Sequence, residues 1–264
     1  MGAVEIGTGQ LALGALLLGI NIVLSVVLKL GLARDLVVGA IRMTVQLLLI
    51  GLVLEWVFET ENAVVIVAIA VLMAVLAGRA AVQRTARRFP GILWNSLVVI
   101  LGASFLVTGI SIVGVIQVDP WYDPQYLIPL HGMLLGNALN GISLGLDRFM
   151  EGCAKDRDLI ETRLVLGATR WEAAQPIVRE ALRTGMIPII NTMMIMGIVS
   201  LPGMMTGQIL AGADPAAAVE YQILITFMIA SCVALATGGV IALAYRTLFS
   251  PRHQLRSDRL KRAD

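Results

Sequence analysis

The chain is poor in charge. Asp, Glu, Lys and Arg make up 14% of its 264 residues and hydrophobic residues 58%, whereas a soluble domain is about a quarter charged. That balance excludes an ordinary soluble domain. Cysteine is scarce as well. Cys153 and Cys232 fall at different depths of the apolar pattern described below, so neither a disulfide nor a zinc spacing is expected. The chain has no GxxxxGK[ST] phosphate loop, no HExxH and no GxSxG, the short motifs of nucleotide, metalloprotease and hydrolase chemistry. No Asp or Glu stands near the middle of an apolar run, which removes the carboxylates that ion-coupled transporters and proton pumps place at mid-membrane. If such a chain moves a solute uphill, the energy must come from another chain.

What the sequence has is long apolar runs, and a bilayer-spanning helix needs about 20 such residues. Seven segments qualify: 10–31, 36–58, 63–78, 91–117, 127–147, 186–210 and 221–248. The third is short and is expected to extend a turn at each end; the fourth is long enough to tilt or overrun the bilayer. The first lacks a basic start and is too long for a cleavable signal. All 20 Lys and Arg residues fall on one side of this pattern, while the opposite side holds Glu5, Glu55, Glu59, Glu61, Asp119, Asp123, Asp214 and Glu220. Basic loops stay in the cytoplasm. The expected fold is an all-α integral membrane protein with about seven transmembrane helices, the N-terminus outside and the C-terminus cytoplasmic. Residues 1–264 read as one membrane domain, with a cytoplasmic segment at 148–185 and a basic tail at 246–264. The basic face suits lipid and protein partners rather than nucleic acid.

The 148–185 segment carries the clearest local signals. Ile160, Leu164 and Leu166 sit among charges as a short amphipathic helix, Gly167-Ala168 breaks it, and Thr169-Arg170-Trp171-Glu172 reads as a capping box. A second helix follows, crossed by Pro176 and ending near Gly185-Met186. The run Glu161 to Gly167, with Ile177 ten residues later, resembles the EAA loop through which ABC permeases meet their ATPase. It departs from that pattern in Thr162 and Arg163, which replace two alanines, and in having no Leu-Pro after Ile177. The plainer reading is a solvated cytoplasmic hairpin.

Within the apolar runs, Pro202 lacks an N–H and disrupts its segment, and broken backbone at that depth is buried or lines a cavity. Gly203 and Gly207 offer a small-xxx-small face. Met193, Met194, Met196, Met204 and Met205 lie close by; thioethers are soft ligands for Cu(I) and also flexible core fillers, and both readings stand. Gly132/Gly136 and Gly141/Gly145 allow close helix approach, and Asn137 and Asn140 can hydrogen-bond between helices. His131 is expected to be hydrogen-bonded rather than metal-bound. Arg42, with Gln46 one turn on, either snorkels to the interface or faces a polar cavity and meets an anion.

The run Val199-Ser200-Leu201-Pro202-Gly203-Met204-Met205-Thr206-Gly207, with Ala211 to Pro215, Tyr221-Gln222-Ile223 and Thr226-Phe227-Met228, resembles the iron-export ABC permease family. That family was formerly described only as uncharacterised membrane proteins and is related to plant aluminium-tolerance permeases. Arg42…Gln46-Leu47…Gly51, Gly132-Met133…Gly136-Asn137, Leu166 to Thr169 and Arg252 to Leu255 extend the likeness over nearly the full length. His131 stands where a small residue is expected. The resemblance implies a bacterial inner-membrane or plasma-membrane permease, two copies with two ATP-binding subunits, exporting iron or another metal. ATP and Mg would sit on the partner, with no cofactor on this chain. Coupling would fall to Glu161, Leu164, Leu166, Gly167, Ala168, Thr169, Arg170, Trp171 and Glu172. The pathway or hinge would draw on Arg42, Gln46, Asn137, Asn191, Pro202, Gly203, Met204, Met205 and Gly207, with metal ligands unknown. Plant relatives are linked to aluminium tolerance and one complex to UDP-glucose, so export of a nucleotide sugar or amphiphile stands as the alternative. An autonomous channel or a membrane scaffold are the readings from other classes.

Overall fold

The computed structural model describes residues 7–59 and 62–262; the acidic residues Glu5 and Glu61 of the charge pattern lie outside the described residues. Among the described residues the protein is all-α apart from one ribbon of two residues per strand, and it divides into two compact units.

The first unit holds α1 (Thr8–Val27), α2 (Ala33–Phe58) and residues 207–213. Its two long helices are joined by a tight turn in which Lys29 and Gly31 take positive φ. The buried Ser25 hydroxyl accepts from the Leu32 N–H at 3.0 Å and so satisfies the turn. Both helices expose leucine and valine along most of their length. Such surface is stable only against lipid or another protein.

The second unit is the larger. Its helices are α3 (Ala63–Gln83), α4 (Ile92–Gly109), α5 (Pro124–Lys155), α6 (Arg157–Val165), α7 (Arg170–Ile195) and α9 (Pro215–Leu248), with β1 (Arg87–Arg88) paired to β2 (Lys261–Arg262). A short helix, α8 (Gly203–Leu210), begins in this unit. Side-chain caps fix the starts of α3, α5 and α9: Asn62 accepts from Val64 N–H, Asp123 from Gln125 N–H and Asp214 from Ala217 N–H, each satisfying an amide the first helical turn leaves free. α4 is entered from Gly91, whose φ of +85° suits glycine, and continues as a π-helical segment over Ile110–Ile116.

α5 is the central helix, packed by α3, α4, α7 and α9. Leu134, Ile142, Leu146, Phe149 and Met150 are almost wholly buried along it. Glycines set its contact with α7 and α9. A Cβ on Gly141 would meet Thr237 Oγ1 at 2.6 Å, and one on Gly185 would meet the Gly141 carbonyl oxygen at 2.7 Å. The Gly141/Gly145 pair is therefore a packing face, as expected. The Gly132/Gly136 pair is not one throughout: Gly132 faces Met73, but nothing described lies within 4 Å of a Cβ on Gly136.

Six helices among the described residues are long and apolar enough to cross a membrane. The third runs on to Gln83, beyond its predicted end, and the fourth run is helical to Ile116. The predicted segment 186–210 is not one helix. α7 starts back at Arg170 and passes Gly185 without stopping, although the second cytoplasmic helix was expected to end there. It stops at Ile195 because Met196 is extended and Gly197 has φ +84°. Helix resumes only after Pro202.

Candidate functional site

The predicted elbow is present, and its geometry follows from the residues that close α6 and open α7. α6 ends in a Schellman turn: the Ala168 N–H donates to the Arg163 carbonyl at 3.0 Å and the Gly167 N–H to the Leu164 carbonyl at 3.1 Å. That closure needs a left-handed residue, and Gly167 supplies it with φ +95°. α7 then starts on a complete capping box. The Thr169 hydroxyl accepts from the Glu172 N–H at 3.3 Å, and Glu172 Oε2 accepts from the Thr169 N–H at 2.7 Å. Ile160 is buried and Leu164 packs on the core, while Val165 and Leu166 are 86% and 81% exposed. The turn therefore anchors itself with two aliphatics and presents two others.

The tail closes on this elbow. The Arg170 N–H donates to His253 Nδ1 at 2.8 Å, the Arg170 guanidinium lies 5.8 Å from the Tyr245 ring centre, and Trp171 meets Tyr245 edge-on. The nine predicted coupling residues, Glu161 to Glu172, thus belong to one compact feature. Sequence reasoning missed the His253 contact, because a residue in a basic tail gives no sign of which amide it will accept from.

Hydrogen bonds from the Thr169 N–H, and then from its hydroxyl, hold the Glu172 carboxyl below its ordinary value of 4.5. A lowered folded-state value means that the box stabilises the fold above pH 4.5, and that its contribution is lost as the pH falls below it. The unfolding temperature of the wild type is therefore expected to fall from about pH 5 to about pH 3 more steeply than that of Glu172→Gln. Equal slopes would remove the carboxylate from the elbow's stability. Thr169→Ala, which deletes the N-cap oxygen, should cost about 1 kcal/mol in the same assay.

α7 carries the elbow inward. Ala173, Ala174, Ile177, Val178, Ala181, Gly185 and Ile189 form its buried face, spaced as one side of a helix. Arg148 pairs with Glu180 on its polar side. Pro176 and Pro188 lie within it, and the Thr184 and Thr192 hydroxyls donate back to carbonyls one turn earlier. The helix breaks at Met196 beside a cavity of about 520 Å³ lined by Met193, Met196, Pro202, Met205, Gln222 and Thr226, among others. The Thr226 hydroxyl is 2.7 Å from the Gln222 carbonyl and 3.3 Å from Met196 Sδ. Gln222 is buried and its Oε1 has no hydrogen-bond partner among the described residues.

Of the predicted pathway residues, Pro202 and Met205 reach this cavity. Met204 is half-buried outside its lining, and Asn191 is exposed on α7. Arg42 and Gln46 are exposed on α2, in the other unit. Among the described residues Asn137 makes no bond to another helix: its Nδ2 donates to the Met133 carbonyl of its own turn. Asn140 accepts at 2.9 Å from Arg84, the residue that follows α3. The small-xxx-small face of Gly203 and Gly207 is corrected too, since nothing described lies within 4 Å of a Cβ on either. Gln222 and Thr226 were missed as site residues, although a glutamine within an apolar run is the usual signal. His131 is buried and hydrogen-bonded to Thr108 at 3.0 Å. Among the described residues no three His, Cys, Asp or Glu side chains converge on a metal position.

Six membrane-length helices among the described residues define a multi-pass helical membrane protein. The chain belongs to the family described as "Uncharacterised protein family (UPF0014)", which matches residues 8–249. It is 41% identical to "UPF0014 membrane protein slr1647" of Synechocystis over 81% of this chain and 83% of that one. It is 30% identical to "Probable iron export permease protein FetB" of Escherichia coli over 99% and 100%. With "Protein ALUMINUM SENSITIVE 3" of Arabidopsis thaliana the identity is 31% over 89% and 85%. No solved structure matches.

Proposed function

We propose that the chain is the permease subunit of an ABC exporter. A separate ATP-binding subunit holds ATP and magnesium, and two copies of each chain form the complex. The observation that carries this reading is the continuity of α7 from the capped elbow at Thr169 to the break at Met196. Its 26 residues span about 39 Å, so a push on the elbow reaches the cavity wall without crossing a loop. The one-sided distribution of cations supports a cytoplasmic elbow and tail.

The cargo we infer is iron or another metal, supported by the printed name of the Escherichia coli relative. One observation favours a second cargo. The cavity wall is mostly apolar, with one unpartnered acceptor, Gln222 Oε1, which suits an amphiphile bearing a hydrogen-bond donor. A nucleotide sugar is less well served, because no cation lines the cavity.

The test is ATPase activity of the chain co-purified with its ATP-binding subunit in lipid nanodiscs, challenged with ferrous iron, other metals, a long-chain amine or UDP-glucose. Stimulation by iron supports the metal exporter. Stimulation by the amine alone keeps the permease and changes the cargo. If no ATP-binding subunit co-purifies, the exporter reading gives way to an autonomous channel or a scaffold.

A further inference from the structure

Every side chain of the β1–β2 ribbon is a cation. Arg87 stands opposite Arg262 and Arg88 opposite Lys261, and like charges directly opposite on an antiparallel pair are destabilising. Among the described residues, the only carboxylate at ion-pair distance from these four is Glu151, 3.0 Å from Arg87. The ribbon therefore forms against its own electrostatics, and an anion close to it would offset the repulsion.

A place for that anion adjoins the ribbon. A cavity of about 180 Å³ is lined by Arg87, Arg157, Arg256 and Ser257, together with apolar groups such as Leu248 and Leu260. The three arginines come from three segments: the α3–α4 loop, the first residue of α6, and the tail. Arg157 has a partner on its own helix, Glu161 at 2.8 Å, while Arg256 has no carboxylate partner among the described residues. Asp156 and Asp158 flank Arg157 in sequence. Asp156 makes no side-chain cap to the amides of the first turn of α6, and free amides at a helix start favour anions.

We propose that this cluster binds a phosphate group. Guanidinium groups present forked donors that match phosphate oxygens, and the cavity is smaller than a drug-sized pocket, so it suits a headgroup rather than a nucleotide. α3, α5 and α9, all of membrane length, end beside it at Gln83, Lys155 and Leu248, on the face that carries the cations. Basic pockets on the cytoplasmic side of membrane helices take phospholipid headgroups. The phosphate comes either from an acidic phospholipid or from free inorganic phosphate. From either source it ties together the α3–α4 loop, the base of the elbow and the tail that carries His253.

The full chain is assembled into nanodiscs of phosphatidylcholine with or without phosphatidic acid. Retained lipid is counted by native mass spectrometry, and unfolding temperature is read in parallel. The wild type is expected to retain phosphatidic acid over phosphatidylcholine and to unfold at a higher temperature with it. Arg157→Gln with Arg256→Gln should lower that retention by more than about tenfold. Arg179→Gln, a cation outside the cluster, should leave it unchanged, and Arg256→Gln alone serves if the double variant fails to fold. In phosphatidylcholine discs, a rise in unfolding temperature with millimolar phosphate but not with chloride of equal ionic strength, lost in the variants, assigns the site to free phosphate. The proposal is overturned by equal retention of both lipids with no response to phosphate, or by variants that retain phosphatidic acid as the wild type does.

Discussion

Gly167→Pro is expected to abolish transport while leaving the amount of chain in the membrane unchanged. Gly167 has φ +95° and proline is held near about −65°, so the substituted residue cannot take the native turn. The loss extends past one dihedral. Proline also removes the Gly167 N–H that donates to Leu164, and its ring disfavours a helical Leu166. The Schellman closure then fails, and Val165 and Leu166, the exposed aliphatics of the elbow, lose their fixed position. The spanning helices are untouched, so insertion proceeds. Gly167→Ala keeps the N–H and carries only the left-handed penalty of about 1–2 kcal/mol; it should transport at a reduced rate. Surface labelling separates delivery from activity, and vesicle export reads the activity. Normal export by a well-delivered proline variant would remove the elbow from the transport cycle.

The second large effect is on the fold. Gly185→Val is expected to destabilise the protein by about 3 kcal/mol or to prevent accumulation. The new Cβ would sit 2.6 Å from Thr237 Cγ2, 2.7 Å from the Gly141 carbonyl oxygen and 3.4 Å from Gly145 Cα. Two of these three are backbone of α5, which no rotamer change can move. α7 would have to back away from the central helix along its buried face. Gly136→Ala is the matched control. It lies in α5 with open space around its Cβ position, and alanine is the better helix former by about 1 kcal/mol. Thermal unfolding in one detergent, compared across the two variants, checks this. Similar midpoints would show that the α5–α7 contact is looser than the distances state.

The contrast between these glycines marks what the sequence could and could not tell. Gly132/Gly136 and Gly141/Gly145 have the same spacing and read alike, yet one pair carries the contact of α5 with α7 and α9. Spacing places glycines on one stripe; which neighbour lies on that stripe is a tertiary fact. The apolar runs were legible because a bilayer imposes a length. The capping box and the Gly167 break were legible because their chemistry is local to four or five residues. The break at 196–202 was half legible. Pro202 signalled a disruption, but not that helix would already stop at Met196, nor that α7 would begin as far back as Arg170. The residues grouped as a pathway lie on several helices. Polar residues from α2, α5 and α7 were grouped by chemistry, while the cavity gathered Gln222 and Thr226 of α9 with methionines beside the break. The ribbon was invisible, since two arginines and a Lys-Arg pair many residues apart give no sign of pairing.

α7 has one further property, and it concerns phase rather than force. Because the helix is unbroken from Arg170 to Ile195, the azimuth of the elbow and that of the cavity wall are locked to the same 3.6-residue count. A single residue added between them would turn one end by about 100° relative to the other. Pro176 and Pro188 bend such a shaft but do not reset its count. The directions in which Trp171 and Met193 face are therefore a single variable of this protein, set by the number of residues between them.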